Sequence, residues 1–188
     1  MGANLGAFWD EMSPSDHSVQ IYDTDESLLE ALESFVAGGL RQGECAVVIA
    51  TPEHRIALQR RLAARGIDLW DAIARNQYIP LDADATLLEF MRDEWPDDRL
   101  FSFCARNLIT RARADGRPVR AFGEMVAILW ARDLAGAALR VEHLWHQLCH
   151  EEGFPLFCAY PRHSFRPDAP FSLEEVCATH DRLIGGTQ

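Results

Sequence analysis

The stretch Glu44–Thr51, ECAVVIAT, limits the architecture of this chain more than any other. Cys45 to Ala50 are apolar at every position, and Gly43 and Pro52 close the run on its two sides. Six residues between such breakers suit a strand rather than a helix. A strand apolar at every position offers both faces to a core, as in parallel sheets covered by crossover helices. Thr51 is a suitable cap for a following helix, with Pro52 at its first position.

The same reading extends along the chain. Val19, Ile21 and Tyr22 within His17–Thr24 suit a first strand. Thr24-Asp25-Glu26-Ser27 then starts a helix, its acids at the positive end of the dipole. Leu28, Leu29, Leu32, Phe35, Val36 and Leu40 follow at helical spacing, and Gly38-Gly39 and Gly43 end it. The helix from Pro52 stops at Gly66, and Tyr78–Ala83 is a third strand. Asp84 starts a helix that Trp95-Pro96 breaks, and Asp98 caps the next. Pro118–Phe122 is a fourth strand. A helical stretch from Met125 to about Glu152 breaks near Asp133-Leu134, and Pro155–Pro161 is a fifth strand. Ser172–Ile184 reads as a final helix. The fold class is therefore α/β: a mostly parallel central sheet of about five strands flanked by helices, plus a C-terminal helix. The expected division is a flexible arm over 1–16, a core domain over 17–161, and a connection and helix over 162–188.

Composition removes several chemistries. All 18 basic residues are arginine. Without lysine there is no phosphate-loop lysine, Schiff-base lysine or lysine general base. A net charge of −11 argues against direct nucleic-acid binding, which needs a basic face. Five cysteines, an odd number without CxxC spacing, read as free thiols of a reducing compartment. The N-terminus has neither part of a signal peptide, and no apolar run reaches the ~20 residues of a membrane span. The expected location is the cytoplasm, with no membrane association.

GGLRQGECAVVIATPEHRIALQRRLAARGIDLWDAIARNQYIPLDA resembles the central part of the KaiC/RecA-like ATPase core. There a Gly-rich loop with Lys-Ser/Thr should precede the first helix, its N–H groups cradling phosphates. This chain has YDTDESLLEAL at that place, where Tyr22–Glu26 puts three carboxylates and no glycine. The ordered set HSVQIYDTDESLLEAL, FVAGGLRQGECAVVIATPEH, LAARGID, LDADATLLEFM, VRAFGEMVAILW, ALRVEHLW and LFCAYP resembles the MEDS family. Those sensory domains occur in methanogen and methylotroph regulators and in a dichloromethane-responsive repressor. The resemblance implies a degenerate RecA-like fold that senses a small ligand, apolar or hydrocarbon-derived, in signal transduction. It also implies a partner such as a histidine kinase or transcription regulator.

Ligands of open α/β sheets lie outside the carboxyl ends of the strands. In a RecA-like order the first, fourth and fifth strand ends converge. The candidate pocket is therefore Tyr22, Thr51, Glu124, Trp130, Trp145 and Tyr160, with His17 nearby. Each has a plainer reading. Glu124 can be a helix-start acid bonded to backbone or an arginine, the tryptophans can be core, and the tyrosines satisfied structural groups. His143, His146 and His150 share a helix, with Glu142 and Cys149 adjacent, in reach of a zinc-like ion. A solvated or capping cluster explains them as well, and no metal or other cofactor is expected. There is no GxSxG, catalytic-cysteine signature or GxGxxG, so an enzyme is not expected. The alternative to ligand sensing is a protein-interaction module whose old nucleotide cleft is filled by side chains. Phe165, Phe171, Leu173, Val176, Leu183 and Ile184 could then dock on a partner, on a second copy in a homo-oligomer, or on the domain itself.

Overall fold

The computed structural model describes residues 5–165 and 173–184. The chain begins with helix α1 (Leu5–Asp10), strand β1 (His17–Tyr22) and helix α2 (Asp25–Arg41). Next come β2 (Cys45–Ala50), α3 (Pro52–Ala64), α4 (Leu69–Ala74), β3 (Tyr78–Asp82) and α5 (Ala83–Phe90). Two short strands, β4 (Met91–Arg92) and β5 (Trp95–Pro96), lead to α6 (Asp98–Ala112). The rest is β6 (Val119–Gly123), α7 (Met125–Ala131), α8 (Ala135–Glu152), β7 (Leu156–Pro161), α9 (Leu173–Ala178) and β8 (Arg182–Ile184).

Six strands form one sheet in the order β3-β2-β6-β7-β1-β8, and every ladder in it is parallel. Because the strands are apolar throughout, two cores result. Cys45, Val47 and Ile49 of β2 join the core under α5 to α8, while Ala46, Val48 and Ala50 join the one under α1 to α4. Val47, Val48 and Ile49 are at most 1% exposed. Burial of a side chain of that size stabilises by about 1.5–3 kcal/mol, so both faces of this one strand anchor the fold.

Two sequence motifs interlock across the β2–β6 pair. Arg120 of β6 is buried, pairs with Glu44, and donates from Nη1 to the Phe35 carbonyl at 2.7 Å. Its guanidinium lies 5.0 Å from the Phe35 ring centroid. A Cβ on Gly39 would stand 2.4 Å from Arg120 Nε, so a glycine is needed there for the arginine to pass. The Gly38-Gly39 pair therefore lies inside α2 instead of ending it, and Gly43 turns the chain at φ +81°.

Other expectations need correction. The sheet has six strands, because Arg182–Ile184 pairs with Ser18–Gln20 of β1 where a helix was expected. Helix α9 stops at Ala178, and three strand residues are too few to show a period of two. The segment expected as a flexible arm forms α1. Its Trp9 packs 4.8 Å from Phe35 and 5.0 Å from Phe157, centroid to centroid. The cap of α6 is Asp97, which accepts from Arg99 N and Leu100 N, one residue before the position expected. In the C-terminal segment Val176 and Ile184 are buried in this domain and Leu183 is 45% exposed. Phe171 and the Leu173 side chain lie outside the described residues. No helix among the described residues is long and apolar enough to cross a membrane.

Candidate functional site

The first, fourth and fifth strands in the expected numbering are β1, β6 and β7, which are neighbours in the sheet. Their carboxyl ends do not gather the expected residues into one pocket. Glu124, at the end of β6, accepts from Thr51 N at 2.9 Å and meets His54 Nδ1 at 2.6 Å. The far nitrogen of His54 lies 3.5 Å from Asp25. Tyr22 is buried beside these acids, and burial first, then their charge, raises its phenol above the usual value. The carboxylates of the acidic turn all have cationic partners: Asp23 with Arg162 at 2.7 Å, Asp25 with His54, and Glu26 with Arg61. The acidic turn is thus part of a network of side-chain charges at the carboxyl ends of these strands.

A second polar centre lies on the opposite side of the sheet surface, between β7 and α8. Alternation in β1 and β7 puts His17, Cys158 and Tyr160 on the face toward α8, with Val19 opposite Cys158 and Ile21 opposite Tyr160 in register. Helix α8 buries Ala138, Val141, Leu144, Trp145, Leu148 and Cys149, and Glu142 lies within the same stripe at 2% exposure. Tyr160 Oη donates to Glu142 Oε1 at 2.6 Å, and Cys158 Sγ is 3.5 Å from Oε2. His17 Nε2 stands 3.4 Å from Oε2 and 3.3 Å from the Cys158 sulfur. From the turn between α9 and β8, His180 Nε2 comes within 3.4 Å of Oε1, a charge contact without directed hydrogen-bond geometry. Behind these groups, His17 Nδ1 meets His146 Nδ1 at 3.2 Å, and His180 Nδ1 donates to the Val176 carbonyl at 2.7 Å.

Burial alone would raise the Glu142 carboxyl, but the His180 and His17 rings outweigh it and hold the acid well below the usual range. For His180 burial lowers the ring's pKa, while Glu142 more than compensates and raises it. For His17 burial dominates and the pKa falls. Burial and the Glu142 charge push Cys158 and Tyr160 well up. The Glu142 carboxyl and the His180 ring are thus each drawn toward their charged forms, while His17, Cys158 and Tyr160 are drawn toward their neutral ones. The desolvation penalty of such a buried pair commonly cancels its attraction, so stability alone is a weak reason for its presence. Perturbed titrating groups gathered at one place are, conversely, a mark of functional sites.

A cavity of about 630 Å³ opens above this centre. His17, Glu142 and His180 line its floor; Leu139, His146 and Asp181 line its walls; His143, Ala178 and Thr179 are at its rim. A second cavity, of about 240 Å³, lies under α5 and α6 against Leu81, Phe90, Phe101 and Leu108. Trp145 lines that one instead, edge-on to Phe101 at 5.2 Å, and its buried indole N–H has no hydrogen-bond partner. Trp130 donates to the Ser164 carbonyl at 3.0 Å and packs on Tyr160 and Phe165, in a structural position.

The seven expected residues therefore divide. Tyr22, Thr51 and Glu124 share the network at the strand ends, His17 and Tyr160 share the Glu142 centre, and the two tryptophans lie apart. Of the three helix histidines, His143 and His150 are exposed and His146 is half-buried against His17. His150 sits 3.9 Å from Asp181. Glu142, Cys158 and His180 were not placed in the pocket by sequence reasoning. The available signal was the carboxylate at the Ala138-Glu142-Trp145-Cys149 spacing, where an acid falls inside a buried stripe. Nothing comparable marked His180.

The family model of the methanogen/methylotroph, DcmR sensory domain, MEDS, matches residues 16–181. That span includes His17, Glu142, Cys158, Tyr160 and His180. No curated protein matches the chain.

Proposed function

The chain belongs to the MEDS family of sensory domains, and on that footing we propose that it senses a small molecule in the cavity beside Glu142 and signals to a separate regulatory protein. The observation that carries this reading is the cavity itself. About 630 Å³ falls within the 300–1,000 Å³ usual for small-molecule sites, and the floor holds convergent polar groups, with Leu139 and Ala178 as the apolar part of the lining. One wall comes from the turn that delivers His180 to the edge strand β8, which pairs over only three residues. A ligand that contacts this wall biases how firmly α9 and β8 dock, and so supplies the differential binding that a signal requires. The adjacency of β1, β6 and β7 supports reading the scaffold as a RecA-like core. The paired acidic turn supports reading its phosphate site as lost and the domain as non-catalytic.

A thermal-shift screen of small neutral, anionic and halogenated molecules tests the proposal. A compound at a hundredfold excess over its Kd should raise Tm by about 5–10 °C. Leu139→Trp, which adds bulk to the cavity wall and leaves the Glu142 side chain in place, should abolish that shift. No stabilising compound, or equal shifts in both proteins, would contradict it. A second reading places a mostly apolar ligand with one hydrogen-bond acceptor in the 240 Å³ cavity, favoured by the unpartnered Trp145 N–H but below the usual site volume. In that case Leu139→Trp would leave the shift intact.

A further inference from the structure

Three groups on the cavity floor, with Cys158 beside them, have the spacing of a metal's coordination shell. A tetrahedral zinc ion with bonds of about 2.0–2.1 Å to nitrogen or oxygen and about 2.3 Å to sulfur has ligand-to-ligand edges of about 3.3–3.6 Å. In this protein His17 Nε2 to Cys158 Sγ is 3.3 Å, His17 Nε2 to Glu142 Oε2 is 3.4 Å, and Cys158 Sγ to Glu142 Oε2 is 3.5 Å. These three edges make one triangular face. His180 Nε2 stands 3.4 Å from the other Glu142 oxygen, and all four groups have ligand atoms within 4.8 Å of one another.

The surroundings match as well. Ligating histidines ordinarily engage their second nitrogen elsewhere, which fixes the tautomer and aims the ligand atom. His180 gives Nδ1 to the Val176 carbonyl, and its Nε2, on a side chain without exposure, has no hydrogen-bond partner. His17 turns Nδ1 to His146. Tyr160 donates to the Glu142 carboxylate, as outer groups do to a ligating acid.

We propose that His17, Glu142, Cys158 and His180 form a binding site for a zinc-class transition metal ion, closed when the α9–β8 turn delivers His180. Two imidazoles, one thiolate and one carboxylate suit a borderline-soft ion that accepts tetrahedral geometry. Coordination exchanges the Cys158 thiol proton, and a proton on His180 Nε2, for the metal; both leave to water through the cavity. The inference does not require a small molecule in the space above, so it stands or falls separately from the ligand reading.

The test uses the full chain, stripped with chelator, loaded with zinc or cobalt and dialysed. The expected content is about one ion per chain, with a thiolate-to-cobalt charge-transfer band in the near ultraviolet. Cys158→Ser should remove the band, and His180→Gln should lower the zinc retained, while Cys104→Ser leaves both unchanged. Tyr160→Phe, a positioning change, should weaken zinc affinity by about 10–100-fold without altering the stoichiometry. Circular dichroism of each variant keeps loss of metal distinct from loss of fold. Absence of bound metal in folded wild-type protein would overturn the proposal, leaving a buried ion pair. So would a cobalt spectrum unaffected by Cys158→Ser, or metal lost on His150→Asn but kept on His180→Gln, which would move the ion to the outer His146, His150 and Asp181 group.

Discussion

Glu124 and Glu142 are both buried, and their partners give them different work. Glu124 is held by a backbone N–H and by His54, so it ties the end of β6 to the start of α3. The hydrogen bond to Glu124 raises the His54 pKa above its ordinary value of 6.5. Stabilisation from a raised histidine is complete below the unfolded pKa and is lost as pH rises through the folded one. Urea midpoints should therefore fall across that window in wild-type protein, and His54→Gln should flatten the fall. An unchanged slope would show that the pair makes no contribution. Glu142, by contrast, is surrounded by donors from three elements. Glu142→Gln should cost about 3 kcal/mol in metal-free protein, because it breaks a buried pair and removes the acceptor that His17, Cys158 and Tyr160 face. The acid's burial was legible from its place in the α8 stripe; its partners were not. His17, Cys158 and His180 are separated by long stretches of chain, and no local pattern connects them.

At the scale of elements, the close approach of the Arg120 side chain explains one of the two glycines inside α2. Gly39 clears the path of Arg120, whereas a Cβ on Gly38 would meet Arg120 Nη1 at an ordinary 3.5 Å. Two neighbouring substitutions should then differ in sign. Gly38→Ala should be neutral or stabilise by about 0.5–1 kcal/mol through helix propensity. Gly39→Ala should destabilise by about 1–3 kcal/mol through overpacking. Equal effects in chemical denaturation would contradict the close approach. The long elements were legible because their periods extend over many residues. The start of β2 and the break between α7 and α8 at Asp133, φ +60°, fall where the sequence places them. Strand β8 and helix α1 were not, since each is short and depends on its tertiary partner: β8 on the edge of β1, and α1 on Phe35 and Phe157.

For the whole molecule, the parallel sheet has ion pairs at the carboxyl ends of its strands, and a cavity of about 630 Å³ on the face beneath α8. Two consequences follow from that arrangement. On the RecA-like reading proposed above, ATP should neither be hydrolysed nor raise Tm, because Asp23, Asp25 and Glu26 would face its phosphates with their basic partners already engaged. Removing the chain after Ala178 should expose the edge of β1, delete His180, and abolish any ligand-dependent stabilisation; retention of the shift would take the closing turn out of the account. The general crevice rule for α/β sheets points to the strand ends, whereas the cavity beside Glu142 depends on how α8 and the C-terminal turn meet in space, which no local sequence pattern carries. Crystals soaked with a library of small fragments test the central claim most directly. Electron density should appear between Leu139, His146 and Thr179 above the Glu142 centre; fragments found only against Trp145, or only at the carboxyl ends of the strands, would contradict it.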